Sequence, residues 1–236
     1  MKNIQIDDPV EIIKIKKNKM RLYAEKLIRD GVGIADPERI DVRGDLICGE
    51  NVSIDINVII EGTVKLGNNV SIGSNSILID SVIGSNTVIK PFTIIEGAII
   101  GESSFVGPYG RIREGTVIND FVQIGNFVEI KNTTIMNQCR INHLSFIGDA
   151  KLAENVTIGA GTITCNHNGS DTKITNIKKD AYVGSGTNLI APLTIGAEST
   201  IGAGSTINQD VPKGKLVIAR AKQTEVKNWQ RPKIIK

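Results

Sequence analysis

IGESSFVGPYGRIREGTVINDFVQIGNFVEIK, Ile100–Lys131, places an aliphatic residue at Ile100, Val106, Ile112, Ile118, Ile124 and Ile130, six apart without a slip. A helical stripe recurs at three and four and a half-buried strand at two, so a constant sixfold step is a repeat signature. The same beat runs before it at Ile54, Ile60, Leu66, Ile72 and Leu78, and after it at Val183, Leu189, Ile195, Ile201 and Ile207. Glycine often follows the aliphatic residue, as in Ile72-Gly73, Ile124-Gly125 and Ile201-Gly202. Four residues on stands a small or β-branched residue: Val70, Ser76, Val128, Thr187, Ser199 and Ser205.

Each six-residue unit reads as one short strand plus a turn, with its aliphatic residue pointing to the axis of a coil. Glycine after it permits a turn with positive φ that a Cβ obstructs. Successive coils then stack, so that aliphatic residues meet their counterparts and amides pair between coils. The expected fold is all-β, a parallel β-helix. The pattern resembles that of hexapeptide-repeat families, in which three units form a triangular coil wound left-handed, against the usual crossover preference. An aromatic content of 4% fits a narrow interior of Ile, Val and Leu.

Composition narrows the functional classes. Lys plus Arg number 28 against 25 Asp plus Glu, and a net charge of +3 creates no field suited to nucleic acid or an anionic membrane. Cys48, Cys139 and Cys165 lack metal or disulfide spacing and read as small buried side chains in a reducing compartment. The opening MKNIQIDDPV has no apolar core of a leader, and no run of eighteen apolar residues occurs, so the expectation is a soluble cytoplasmic protein.

Residues 1–38 form a first unit off the sixfold beat. Asp8-Pro9 is an N-cap followed by proline at the first helical position, and the stripe Ile12, Ile13, Met20, Leu22, Tyr23, Ala24, Leu27, Ile28 ends at Gly31 and Gly33. A helical plug over the first coil is expected, since a solenoid must close its exposed end. The β-helix is expected over 39–212, with tightened corners at the five-residue steps Leu78–Ile83 and Ile95–Ile100. One long polar insertion, TCNHNGSDTKITNIKK (Thr164–Lys179), interrupts it, and a loop of that length in a solenoid is usually functional or disordered. The tail, 213–236, holds Arg220, Lys222, Lys227, Arg231 and Lys233 with Trp229, which alone reads as a solvated basic segment with an anchoring aromatic.

The two histidines, His143 and His167, both fall near the irregular region. Imidazole exchanges a proton near neutral pH, although a single histidine is more often surface or satisfied core. Glu129 precedes His143 by 14 residues, close to one 18-residue coil. Arg113 and Lys131 stand 18 apart, in equal phase on stacked coils, a pairing suited to gripping a phosphate. The sequence holds no P-loop, dinucleotide glycine fingerprint, serine nucleophile motif or HExxH zinc site, and no metal is expected.

NFVEIK (Asn126–Lys131), HLSFIGDA (His143–Ala150), VTIGAGTITCN (Val156–Asn166), GSGTNLIAP (Gly184–Pro192) and RAKQTEVKNWQRP (Arg220–Pro232) closely resemble one family. It is the bifunctional bacterial N-acetylglucosamine-1-phosphate uridyltransferase / glucosamine-1-phosphate N-acetyltransferase, in its C-terminal acetyltransferase half. The resemblance starts at DPVEIIKIKKN, which looks like the family's linker, and no uridyltransferase half is expected. It implies a left-handed β-helix, a homotrimer with active sites between subunits, and acetyl-CoA as co-substrate. It implies His143 as general base, Glu129 holding or polarising it, and Arg113 and Lys131 on the sugar phosphate. Ala160, Asn166, His167, Ser185, Ala203 and Arg220 would line the acetyl-CoA site, with Arg220 answering its phosphates.

Four positions depart from the family pattern. Phe146 stands for a tyrosine and Thr157 for an asparagine, both acceptor contacts; His167 stands for the loop tyrosine; and Thr172 stands for a lysine that the adjacent Lys173 could replace. Lost hydrogen-bonding groups can change substrate choice by large factors. Three functions follow: acetylation of glucosamine-1-phosphate on the way to UDP-N-acetylglucosamine, the same chemistry on another amino-sugar phosphate or nucleotide sugar, or a non-catalytic trimeric scaffold beside a separate uridyltransferase.

Overall fold

The computed structural model describes residues 8–231. Its single helix, α1 (Pro9–Arg29), begins as its cap chemistry dictates: the Asp8 carboxylate accepts from the Val10 amide at 2.9 Å, and Pro9 fills the first turn. Ala24 and Leu27 are buried with Val32 and Ile40 in the cluster that fills the coils, so the helix closes the open end. A cavity of about 690 Å³ between α1 and the first coil is lined by Lys17, Arg21, Arg39 and Ile40, and holds none of the candidate residues.

Twenty-eight short strands follow, each paired in parallel with its counterpart on the next coil. They build a three-sided prism. The first face is an 11-stranded sheet that includes Gln123–Asn126, Arg140–His143 and Thr157–Ile158. The other two faces share a 17-stranded sheet. The second face carries Arg111–Ile112, Glu129–Lys131, Phe146–Gly148 and Ile163–Cys165. The third carries Thr134–Ile135, Ala150–Leu152 and Thr175–Ile177.

The first repeat position points inward as expected: Ile100, Ile112, Ile124 and Ile130 are at most 1% exposed. Burial of each such side chain contributes about 1.5–3 kcal/mol. The fourth-on position is buried too, at Ser76, Thr187, Ser199 and Ser205.

The tightened corners sit where the beat shortens, with Asp80 at φ 42° and Gly97 at φ 55°. Two further five-residue steps, Ile130–Ile135 and Ile147–Leu152, turn on Asn132 (φ 45°) and Asp149 (φ 49°). Coil pairing also extends past the Ile40–Val211 span read from the sequence, from Gly33–Ile34 to Leu216–Val217. Irregular end coils conceal these strands: Ile34 pairs with Ile54 twenty residues on, and Ile201 with Val217 sixteen on.

Candidate active site

His143 lies at the end of its strand on the first face, exposed, directly in register with Asn126 one coil below. Its Nδ1 is 2.8 Å from Asn126 Oδ1. An amide oxygen only accepts, so Nδ1 carries the proton and Nε2 keeps a free lone pair. The column continues upward through three expected acetyl-CoA residues. The Gly161 amide donates to the His143 carbonyl, the Gly186 amide to that of Ala160, and the Gly204 amide to that of Ser185. A guanidinium N–H of Arg220 reaches the Ala203 carbonyl at 2.9 Å. His143, Ala160, Ser185 and Ala203 thus form one track, with about 4.8 Å between coils, and Arg220 at its head.

The corner beside that track changes character at His143. Below, Phe92, Tyr109, Phe127 and Leu144 occupy it in the left-handed region, all exposed, with the first three rings stacked at 5.0 and 5.1 Å between centroids. Above, Gly161, Gly186 and Gly204 take the same turn at φ 73°, 68° and 72°. A ladder of large apolar side chains gives way to a bare ridge beside the Ala160–Ser185–Ala203 track.

The second face carries the anion-binding candidates. Arg113 and Lys131 are neighbours across two coils, as their 18-residue spacing implies, because Ile112 pairs with Ile130. With Glu96, Arg111, Glu114, Gly115, Asn132 and Asp149 they line a cleft of about 580 Å³. Arg111 pairs with Glu96 at 2.6 Å and Arg113 with Glu129 at 2.8 Å, whereas Lys131 makes no ion pair among the described residues. Such half-exposed pairs are worth little by themselves, and their guanidiniums stay available to a bound anion.

Within one chain Glu129 does not meet His143. The coil between them is 17 residues long, so Glu129 registers with Phe146, and Asn126 takes the place beneath the imidazole. The half-buried Phe146 ring lies over Gly148, where an added Cβ would stand 2.7 Å from the ring.

The long insertion leaves the prism at the corner of the second and third faces. Asn166, half-buried, opens it; the Lys173 amide donates to the Asn166 carbonyl at 2.8 Å, and His167 bridges Thr172. The His167 imidazole is exposed and accepts from the Gly169 amide, while Lys173 Nζ lies 3.6 Å from Asp171. Beneath the loop, Asp149 receives the side-chain amides of Asn132 and Asn166.

Two half-sites therefore flank one corner. His143, Thr157, Ala160, Ser185, Ala203 and Arg220 belong to the first face and its tail; Arg113, Glu129, Lys131, Phe146, Asn166, His167 and Lys173 belong to the second face and its loop. Sequence reasoning missed Asn126, Asn132 and Asp149. Counting the five-residue step Ile130–Ile135 would have placed Asn126 beneath His143.

The fold is that of the hexapeptide-repeat acyltransferases. A solved structure of LpxA from Acinetobacter baumannii superposes with a TM-score of 0.56 over 76% of this chain and 71% of that chain, at 22% identity. Residues 42–126 also match the GMPPB C-terminal domain. Bifunctional protein GlmU of Nitrosomonas eutropha is 47% identical over 98% of this chain and 50% of that protein. The GlmU of Nitrosospira multiformis is 48% identical over 96% of this chain and 49% of its own length. The chain spans about half the length of these relatives, and it belongs to their family as a homologue of the C-terminal half of GlmU.

Proposed function

We propose that the protein is an acetyl-CoA-dependent N-acetyltransferase converting glucosamine-1-phosphate to N-acetylglucosamine-1-phosphate, a step toward UDP-N-acetylglucosamine in the cytoplasm. The observation that carries this reading is the placement of two complementary half-sites on either side of one exposed apolar corner. If three prisms turn that corner inward, the first face of each copy meets the second face of the next. The Phe92–Tyr109–Phe127–Leu144 ladder then packs against its symmetry mates, which accounts for an apolar stripe otherwise left in water. His143 of one copy comes to face the Arg113–Glu129–Lys131 cleft of its neighbour.

In that groove Arg113 and Lys131 hold the sugar phosphate, and the glycine ridge above His143 leaves room for the extended arm of acetyl-CoA, with Arg220 toward its phosphates. The sugar amine attacks the thioester carbonyl, Nε2 of His143 takes the amine proton, and the carbon–sulfur bond breaks to release CoA. Glu129 from the facing copy stabilises the imidazolium that results. General-base catalysis contributes about 10²- to 10⁴-fold, and holding both substrates in reacting geometry supplies much of the remainder.

A second reading, the same transfer to another amino-sugar phosphate, is favoured by Phe146, whose ring offers no hydroxyl to the cleft, and by Thr157, His167 and Thr172. CoA thiol release with glucosamine-1-phosphate and a panel of amino sugars separates the two. Turnover with glucosamine-1-phosphate that vanishes in His143→Ala supports the first reading, and turnover with another acceptor alone supports the second. No turnover with any acceptor sinks both and leaves a scaffold.

A further inference from the structure

Asp149 is 6% exposed and sits in the left-handed turn at the corner of the second and third faces. Among the described residues it makes no ion pair; two side-chain amides satisfy its carboxylate instead. Asn132 Nδ2 donates to Oδ1 at 2.6 Å, and Asn166 Nδ2 donates to Oδ2. Asn132 lines the cleft with Arg113 and Lys131, and Asn166 is the first residue of the long loop. The main chain of Asp149 holds the same two segments, since its amide donates to the Lys131 carbonyl and its carbonyl accepts from the Thr175 amide at the loop's exit. One residue therefore ties the anion cleft to both ends of the insertion.

The chemistry of the carboxylate sets the orientation of both amides. Its two oxygens offer acceptor sites, so each asparagine must turn its NH₂ toward Asp149 and its oxygen away. We propose that Asp149 is a positioning residue that fixes the side-chain orientation of Asn166, so that Asn166 presents a carbonyl oxygen, an acceptor only, to an N–H or O–H donor of the bound substrates. Sugar hydroxyls, the sugar amine and the amides of the pantetheine arm are donors of that kind. An unclamped amide could rotate by half a turn and offer NH₂ instead, which repels the same donors. This assignment rests on the acetyltransferase reading for its effect on turnover, but the clamp itself is a property of the free protein.

The test is an isosteric swap. In Asp149→Asn the new amide brings its own NH₂, so one of the two neighbouring asparagines must turn over to accept from it. Every buried group keeps a partner, and the melting temperature should stay near that of wild type. The expected result is a fall in kcat/KM of about 10- to 100-fold, the range for one hydrogen bond to a charged group. The double swap Asp149→Asn/Asn166→Asp restores the pattern with the roles exchanged. The amide introduced by Asp149→Asn donates to the carboxylate introduced by Asn166→Asp and accepts from Asn132, while the outward atom of the loop's first side chain is again an oxygen. Activity in the double variant should exceed that of Asp149→Asn. Equal losses in the single and double variants, or an Asp149→Asn enzyme with wild-type kcat/KM, would overturn the proposal. Side-chain amide hydrogen exchange at Asn166, read by NMR without substrate, separates this failure from failure of the acetyltransferase reading. Exchange should be slow in wild type and faster in Asp149→Asn, and equal rates overturn the clamp whatever the reaction proves to be.

Discussion

Nδ1 of His143 lies 2.8 Å from Oδ1 of Asn126, one coil beneath it in direct register. The contact selects the tautomer whose Nε2 is free, so the base is set up by the stacking of the prism before any substrate arrives. Asn126→Ala should lower kcat/KM by about tenfold or more through loss of tautomer and ring orientation. Asn126→Asp places a carboxylate against the imidazole, favours its protonated form, and should move the acid limb of the pH–rate profile to higher pH. An unmoved limb would show that Asn126 does not contact the working base.

Division of the site between two faces makes complementation measurable. His143→Ala disables the first-face half-site and Lys131→Ala the second-face half-site, so each homotrimer should be nearly inactive. After co-refolding of equal amounts, three quarters of the trimers are mixed, and each mixed trimer has one groove formed by two intact halves. Activity of about a quarter of wild type should return, as a closed ring of heterologous contacts requires. No recovery in mixtures shown by mass spectrometry to contain heterotrimers would place His143 and Lys131 in the same groove of one chain.

The prism and much of its site were legible because a solenoid converts spacing directly into position. Arg113 and Lys131 fell together from an offset of 18 residues, and the inward set followed from the sixfold beat. What escaped depended on coil lengths that vary. Glu129 and His143 looked adjacent on an 18-residue coil, but the five-residue step at Asn132 shortens it to 17 and hands the place under His143 to Asn126. The Asp149 clamp was hidden for another reason: it joins residues 17 apart at a corner, where the repeat leaves side-chain identity free.

The aromatic ladder gives the assembly its own test. Tyr109 and Phe127 are stacked, outward-facing and about half exposed, so a charge there leaves the coil interior untouched. Tyr109→Glu/Phe127→Glu should keep the far-ultraviolet circular dichroism of wild type while light scattering falls from three chains to one, with loss of turnover. A stable trimer in this variant would mean that another corner faces the threefold axis.

The glycine ridge predicts a selective defect in co-substrate binding. Gly186 sits at φ 68° with open space where a Cβ would point, beside Ser185 on the track above His143. Gly186→Val fills that space and forces an unsuited residue into the left-handed region at about 1–2 kcal/mol. Gly186→Asn fills it with a residue that tolerates the turn. Both should raise KM for acetyl-CoA by about tenfold, and only the valine variant should lose appreciable thermal stability. If the asparagine variant binds acetyl-CoA as wild type does, the arm runs elsewhere.

Cys48 and Cys139 give the fold an alkaline limit. Burial pushes each thiol from 9.0 up to about 11, since the thiolate is disfavoured away from water. The unfolded chain releases these protons near 9 and the folded chain near 11, so between those values the folded state binds more protons. Stability from this source is therefore complete below about 9 and is lost as pH rises through that window. Melting temperatures measured from pH 8 to 11 should decline more steeply in wild type than in Cys48→Ala/Cys139→Ala, although the variant starts lower because Cys139 fills part of the core. Parallel curves for the two proteins would assign the alkaline loss to other groups, such as the tyrosines and lysines of the surface.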